Sequence, residues 1–353
     1  MKEIRYWTSH TYKKPERWQH NLGLDASKFR LVYDKVNPDY LILTERVINE
    51  RLMRNEFKRL YAPNRLVVFW ADECISPDFN LCDYAMSYDR GLSYGDRATR
   101  RPVMSIFANF EHAPMNVPVT EADSILATKT GFCNFIYSNP DAHPMRDALF
   151  HSLSKYRTVD SLGPHLHNCD APASRGCYDF VERSIAMKKP YKFSIASENA
   201  SFKGYTSEKI ITSFLARSIP IYWGNPDVES EFNPKAFINV NSLTRDELVD
   251  KVREIDADDA KWKEIASEPP MTAEQHERWL KEESEYRAFM ENVFSQPVEK
   301  AKRRPEGYWQ DNYRRTYFAA SAKQVPGIFR LMKFFGRETV IGNWVAAKLH
   351  PIE

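Results

Sequence analysis

Three places in this sequence set residues with usable chemistry directly after a run of apolar residues. Asp72-Glu73 follows the run 66–71. Ser138-Asn139 follows the run 132–137, with Arg146 a short way on. Glu198-Asn199 follows the run 191–196 and leads to Gly204-Tyr205-Thr206-Ser207-Glu208-Lys209. A carboxylate at a strand tip is a candidate general base, because low dielectric around it moves its pKa towards neutrality. The plainer alternative is a pair of acids opening a solvated loop. An arginine just inside a helix adds a fixed cation to the positive end of the helix dipole, which suits a phosphate; otherwise it is an ordinary cap with a surface arginine. In the third place Thr206 or Ser207 reads as an N-cap, which puts Glu208 and Lys209 in the first helical turn. Lysine opposes the dipole there unless an anion docks on the same terminus. Tyr205 and Lys209 would then address one ligand, with Lys209 on a phosphate and Glu208 accepting from ribose or sugar hydroxyls. The alternative is a surface lysine beside a capping glutamate.

Other signals are weaker. The acidic run Asp256-Ala257-Asp258-Asp259 has the make-up of a metal-binding motif but lies in a charged helical region, and reads as a helix start or solvated face. His165-Leu166-His167 has no second ligand cluster at metal-site spacing. Neither GxxxxGK[ST] nor GxGxxG occurs, which argues against a P-loop ATPase or a standard dinucleotide enzyme.

The elements that must position these residues alternate. Strands are expected at 39–44, 65–71, 132–137, about 158–160, 191–196 and 219–223, the apolar runs reading as strands buried on both faces. Helices are expected at 45–59, 145–156 and 208–216, then a helical region over 244–292. Strand, helix, strand repeated in this way is the pattern of parallel α/β layers. In open sheets of that kind, ligands bind beyond the carboxyl ends of the strands, where all three candidate sites fall. The stretch 114–129, with prolines at 114 and 118, reads as a hinge between two such units.

Length and composition agree. With 353 residues, 42% apolar and 13% aromatic, the chain can bury two cores and is not disordered. Its 50 Lys and Arg against 48 Asp and Glu leave a net charge of +2, which removes a nucleic-acid coat or acidic tail protein as the default. Five cysteines without a CxxC pair argue against a disulfide framework or a zinc ribbon. No apolar run reaches membrane-spanning length, and the first residues lack the apolar core of a signal peptide, so a cytoplasmic protein is expected. The stretch from Val298 is basic, with eleven Lys or Arg against five Asp or Glu and two aromatic clusters. It reads as helices wrapping a core. Peripheral contact with an inner membrane through residues 327–349 is the other expectation for it.

Four blocks carry a resemblance: Tyr191-Lys192-Phe193-Ser194-Ile195-Ala196-Ser197-Glu198-Asn199; Gly204-Tyr205-Thr206-Ser207-Glu208-Lys209; Ile219-Pro220-Ile221-Tyr222-Trp223-Gly224-Asn225-Pro226; and Phe232-Asn233-Pro234-Lys235-Ala236-Phe237-Ile238-Asn239-Val240. In this order and spacing they resemble the donor-site signature of the α1,3-fucosyltransferases of glycosyltransferase family 10, particularly the bacterial members. Sparser matches run through Glu73, Ser76-Pro77-Asp78-Phe79-Asn80-Leu81 and Asp83-Tyr84-Ala85, and through Phe132-Cys133, Ser138-Asn139-Pro140 and Arg146.

The resemblance implies an α/β fold of GT-B architecture, two Rossmann-like domains facing each other across a cleft and closed by C-terminal helices. It implies an acceptor-binding domain over 1–127, a GDP-fucose-binding domain over 128–297 and a basic aromatic helical tail over 298–353 packing back across both. The implied reaction moves L-fucose from GDP-fucose, with inversion, to GlcNAc or Glc of a β-galactoside such as N-acetyllactosamine, for Lewis-type antigens, lipopolysaccharide or other cell-surface glycans. Glu73 would be the base. Ser138, Asn139, Arg146, Glu198, Asn199, Tyr205, Glu208 and Lys209 would form the donor site, with Arg146 and Lys209 on the leaving diphosphate. No metal site and no cofactor are expected, a divalent cation at most stimulating. The partners implied are GDP-fucose and an oligosaccharide acceptor, not nucleic acid. Asp72-Glu73-Cys74 stands where relatives have glycine before and asparagine after the glutamate, so Asp72 stays open as the base. Ser197 and residues 200–203 also depart from the pattern. The alternatives are transfer of a different sugar from GDP, or a glycan-binding relative without catalysis.

Overall fold

The computed structural model describes residues 1–71, 73–102, 113–170 and 180–320. The first sheet is built from β1 (Lys2–Thr8), β2 (Phe29–Tyr33), β3 (Tyr40–Leu43), β4 (Leu66–Trp70), β5 (Tyr84–Ser87) and β6 (Ala98–Arg100), in the order β2-β1-β3-β4-β5-β6. The second is built from β7 (Gly131–Phe135), β8 (Val159–Ser161), β9 (Tyr191–Ser197), β10 (Ile219–Trp223) and β11 (Ile238–Asn239), in the order β11-β10-β9-β7-β8. Every pairing in both is parallel. Each sheet therefore starts in its interior, adds its second strand on one side and the rest on the other. That is the doubly wound order, with a switch point between β1 and β3 and another between β7 and β9.

The apolar runs take the central places because helices cover both faces of a parallel sheet. All five residues of β4 and all five of β10 are buried. Register then sets the site: Trp223 pairs with Ser197, so β9 and β10 end level and Glu198 N donates to the Trp223 carbonyl at 2.9 Å. The helix Met145–Ser154 follows β7, the helix Phe180–Lys188 precedes β9, and the helix Glu208–Leu215 joins β9 to β10.

After the second sheet the chain returns to the first. The helix Ala273–Ser295 opens with a capping box between Thr272 and Gln275. It sets Phe294 against Tyr40 at 5.0 Å between ring centres and Phe289 edge-on to Tyr84 at 5.9 Å. A buried ion pair then fastens the following segment: Arg304 Nε lies 2.9 Å from Asp83 Oδ2, and Asp83 Oδ1 accepts from the backbone N–H groups of Arg303 and Arg304, each at 2.9 Å. The helix Tyr308–Ala320 lies on the same unit, with Tyr313 donating to Asp78 at 2.6 Å. Residues 327–349, on which the membrane expectation rests, lie outside the described residues. Among the described residues no helix is long and apolar enough to cross a membrane.

Candidate active site

Glu73 follows β4 at the carboxyl edge of the first sheet and is exposed. The low-dielectric setting expected at this strand tip is not found. What Glu73 has instead is two hydrogen bonds from the second unit: the Tyr205 hydroxyl donates to its Oε2 at 2.8 Å and the Asn199 amide at 3.1 Å. Asp72, the alternative base, lies outside the described residues. Tyr205 itself is buried, its ring edge-on to Tyr88 at 5.3 Å. The turn before it presses on the first sheet. Gly204 has φ of 81°, and a Cβ there would sit 2.3 Å from the Tyr88 carbonyl oxygen, so glycine is required on both counts.

Asn199 joins Glu73 to a cation. Its side-chain oxygen accepts from Arg146 Nη2 at 2.5 Å, while the Arg146 guanidinium lies 4.1 Å from the centre of the Tyr137 ring. Arg146 is only 1% exposed, in the first turn of its helix, and its Nε is buried without a hydrogen-bond partner. Tyr137 is held in turn, donating to the Ile195 carbonyl at 2.9 Å and accepting from Ser197 N at 2.7 Å. Burial pushes the Tyr137 hydroxyl up to about 12, although the charges of Arg146 and Lys209 both act to lower it.

Lys209 anchors the other side. Its ammonium donates to Ser207 Oγ at 2.8 Å and lies 3.3 Å from Glu198 Oε2 and 3.5 Å from Glu208 Oε1. Burial works to lower its pKa, yet the Glu208 and Glu198 carboxylates hold it above the ordinary lysine value. Glu208 is pulled the other way: burial would raise its pKa, and Lys209 brings it below the usual range. Glu198 is fully buried. Its carboxylate accepts from Ser207 N at 2.7 Å and from Ser207 Oγ at 2.6 Å, and burial pushes its pKa up. Gly224 makes room for it, since a Cβ there would stand 2.4 Å from Glu198 Cγ. Glu198 therefore lies behind Lys209 and the turn, enclosed by both. Ser207 stands at the N-cap position but makes no capping bond, because its hydroxyl is committed to Glu198.

Ser138 and Asn139 are exposed at the end of β7. The Asn139 side chain folds onto its own loop, accepting from Asp141 N at 2.9 Å, and its carbonyl accepts from Arg146 at 3.3 Å. Glu73, Asn199, Tyr205 and Arg146 are thus joined by direct hydrogen bonds, and Glu198, Glu208 and Lys209 by a second set. The electrostatic field of Glu73 reaches Lys209 and links the two. Sequence reasoning missed Tyr137, Ser207 as a clamp, and Gly224. Tyr137 and Gly224 were legible only as a strand end and a turn.

The weaker signals have structural duties. Asp258 caps the helix Asp259–Ser267, while Asp256, read as solvated, is buried against Arg157 at 2.9 Å and Tyr156 at 3.1 Å. His165 pairs with Asp147 at 2.8 Å and His167 with the Ser161 carbonyl at 2.9 Å. Among the described residues no group of three or more His, Cys, Asp or Glu side chains gathers as metal ligands would.

Two doubly wound parallel sheets, with charged and polar groups from both meeting at their carboxyl edges, define the GT-B class of glycosyltransferase fold. Residues 126–283 match the family model for glycosyltransferase family 10 (fucosyltransferase) C-term. The α-(1,3)-fucosyltransferase FucT of Helicobacter pylori is 31% identical over 226 residues, covering 56% of this chain and 45% of that protein. The GDP-fucose protein O-fucosyltransferase 3 of Homo sapiens is 26% identical over 236 residues, covering 56% of this chain and 48% of its own length. The chain thus spans under half the length of these curated relatives. A crystal structure of an α1,3-fucosyltransferase shares the fold, with a TM-score of 0.67 at 21% identity, covering 86% of this chain and 93% of that one.

Proposed function

We propose that this chain is an inverting α1,3-fucosyltransferase that moves L-fucose from GDP-fucose to GlcNAc or Glc of a β-galactoside acceptor such as N-acetyllactosamine. The observation that carries the reading is Glu73, from the first unit, accepting hydrogen bonds from Asn199 and Tyr205 of the second, with Arg146 bonded to Asn199 and the Lys209 ammonium within the field of the Glu73 carboxylate. Inversion requires one displacement. The Glu73 carboxylate takes the proton of the acceptor hydroxyl as that oxygen forms its bond to the anomeric carbon. The bond from that carbon to the diphosphate oxygen breaks, and its electron pair leaves with GDP. Arg146 and Lys209 meet the charge that develops there; fixed cations in a preorganised site do this without reorganising at the moment of reaction. Glu208 accepts from ribose or fucose hydroxyls, and Ser138 and Asn139 edge the donor pocket. Tyr205 and Asn199 orient the base, so that it is set for reaction only while the two units are together. No cofactor is needed on this reading, and a divalent cation at most stimulates.

The relatives named as protein O-fucosyltransferases support a second reading of the acceptor, a hydroxyl on a protein. One assay separates the two: GDP release from GDP-fucose with no acceptor, with N-acetyllactosamine, and with serine- or threonine-containing peptides. Turnover that depends on the disaccharide supports the first reading, and turnover that depends on peptide replaces it. Donor binding without either sets both acceptor readings aside, in favour of another acceptor or a glycan-binding relative without catalysis. If GDP-mannose is the donor used and GDP-fucose is not, a different GDP-sugar transferase is indicated.

A further inference from the structure

Beneath the first turn of the helix Glu208–Leu215 lies a second cation, one that neither the sequence motifs nor the reaction above uses. Lys188 ends the helix Phe180–Lys188 and is buried, 4% exposed. Its Nζ donates to Thr212 Oγ1 at 2.7 Å, to Ser213 Oγ at 3.0 Å and to the carbonyl of Lys209 at 3.1 Å. Thr212 and Ser213 pass their own hydroxyl protons to that same carbonyl, at 3.1 and 2.8 Å. We propose that Lys188 is a positioning residue of the diphosphate site: a buried ammonium that fixes the backbone of Lys209 and holds its proton more tightly when the donor is bound, so that donor binding takes up a proton. The proposal rests on the donor reading given above.

The geometry suits the charged form. An ammonium has three N–H donors, and three acceptors surround it; a neutral amine has N–H groups for only two of them. Burial works against the charge and pushes the pKa of Lys188 down to about 7. The facing charges are Glu208, which raises it, Lys209, which lowers it, and Glu198, which raises it. The helix ending at Lys188 favours a cation there, whereas the helix above presents its positive end. An anion docked on that end reverses the balance, so the donor diphosphate raises the pKa of Lys188. By linkage the affinity is greatest below about pH 7 and falls as pH rises, by at most about tenfold per unit between the free and bound pKa values.

Calorimetric titration of GDP-fucose into the full chain without acceptor tests this, because its diphosphate diester does not itself titrate in this range. The measurement is made at about pH 7.5–8.5, above the ordinary range of histidine, in phosphate and in Tris, whose ionisation heats differ. The native chain is expected to take up a substantial fraction of a proton. Its affinity is expected to fall about three- to tenfold over that interval. Lys188→Met and Lys188→Gln are expected to bind several-fold more weakly and to show no uptake. Absence of uptake by the native chain, which needs no variant, overturns the proposal. Equal uptake in native and variant proteins does so too. No binding of GDP-fucose at any pH removes the donor reading, and this inference with it; binding without uptake removes this inference alone.

Discussion

The two sheets wind in the same order but use their switch points in opposite ways. Between β1 and β3 the crevice is sealed. Ser9 and Thr44 are fully buried there with their hydroxyls 3.2 Å apart, and Thr44 N donates to Ser9 Oγ at 2.8 Å. His10 closes the edge, its ring edge-on to Trp18 at 5.7 Å and to Trp70 at 6.2 Å. Between β7 and β9 the crevice carries polar groups outward: Ser138, Asn139 and Asn199, with Arg146 behind them. The first unit presents the proposed base one strand further along, after β4, where Glu73 is exposed. A shared topology therefore does not mean a shared site. At its switch point the first unit keeps Ser9 and Thr44 inside; the second buries charge of both signs, Glu198 and Arg146, beside its own.

Substitutions in the two units separate their roles. Glu73→Gln is expected to lower kcat by about a thousandfold, within the usual range for loss of a general base, with GDP-fucose affinity retained in equilibrium binding. Lys209→Met is expected to lower kcat/KM by about a hundred- to a thousandfold in steady-state assays with varied donor, because the leaving diphosphate loses a fixed cation. Arg146→Lys keeps the charge but not the fork that reaches Asn199. A loss of about ten- to a hundredfold in kcat/KM is expected, which equal rates would contradict. Gly224→Ala drives a methyl into Glu198. It is expected to cost about 1–3 kcal/mol in denaturant unfolding and to weaken donor binding through Lys209. In the sealed crevice Ser9→Ala, which leaves the buried Thr44 N–H without its acceptor, is expected to cost about 1–3 kcal/mol of stability and to leave kcat unchanged. A large loss of kcat there would show that the first switch point is also a working site.

Much of this arrangement was legible in the sequence. Long apolar runs declared β4, β7, β9 and β10, and Glu73 beyond β4 and Asn199 beyond β9 are joined by a direct hydrogen bond, with Arg146 after β7 bonded to Asn199. β1 was missed because Lys2, Glu3 and Arg5 break its apolar pattern. Their partners are remote in sequence: Arg5 forks onto Asp39 at 2.8 and 2.9 Å, and Lys2 reaches the Gln296 carbonyl at 2.6 Å. β5, β6 and β11 are four, three and two residues long, too short for a periodic signal to rise above the background. The helix Ala273–Ser295 was readable as a helix, but its seat on the first sheet was not, since an apolar face declares that it has a partner without saying which. Within the site, residue types were readable and burial was not. Glu198 and Asn199 are neighbours in a matching motif, yet one is enclosed beneath Lys209 and the other spans the cleft to Glu73. Only the level ends of β9 and β10, with Gly224 opposite, decide which is which.

On the proposed mechanism Tyr205 acts through Glu73, to which its hydroxyl donates across the cleft. A double-mutant cycle on kcat with Glu73→Gln and Tyr205→Phe, with GDP-fucose affinity measured for each protein, tests it most directly. Tyr205→Phe alone is expected to lower kcat about tenfold, as loss of one hydrogen bond to a charged group would, with donor affinity kept. The double variant is expected to be no slower than Glu73→Gln alone. Independent losses that multiply, or a loss of donor affinity in Tyr205→Phe with kcat intact, would contradict that mechanism and return Tyr205 to the donor pocket.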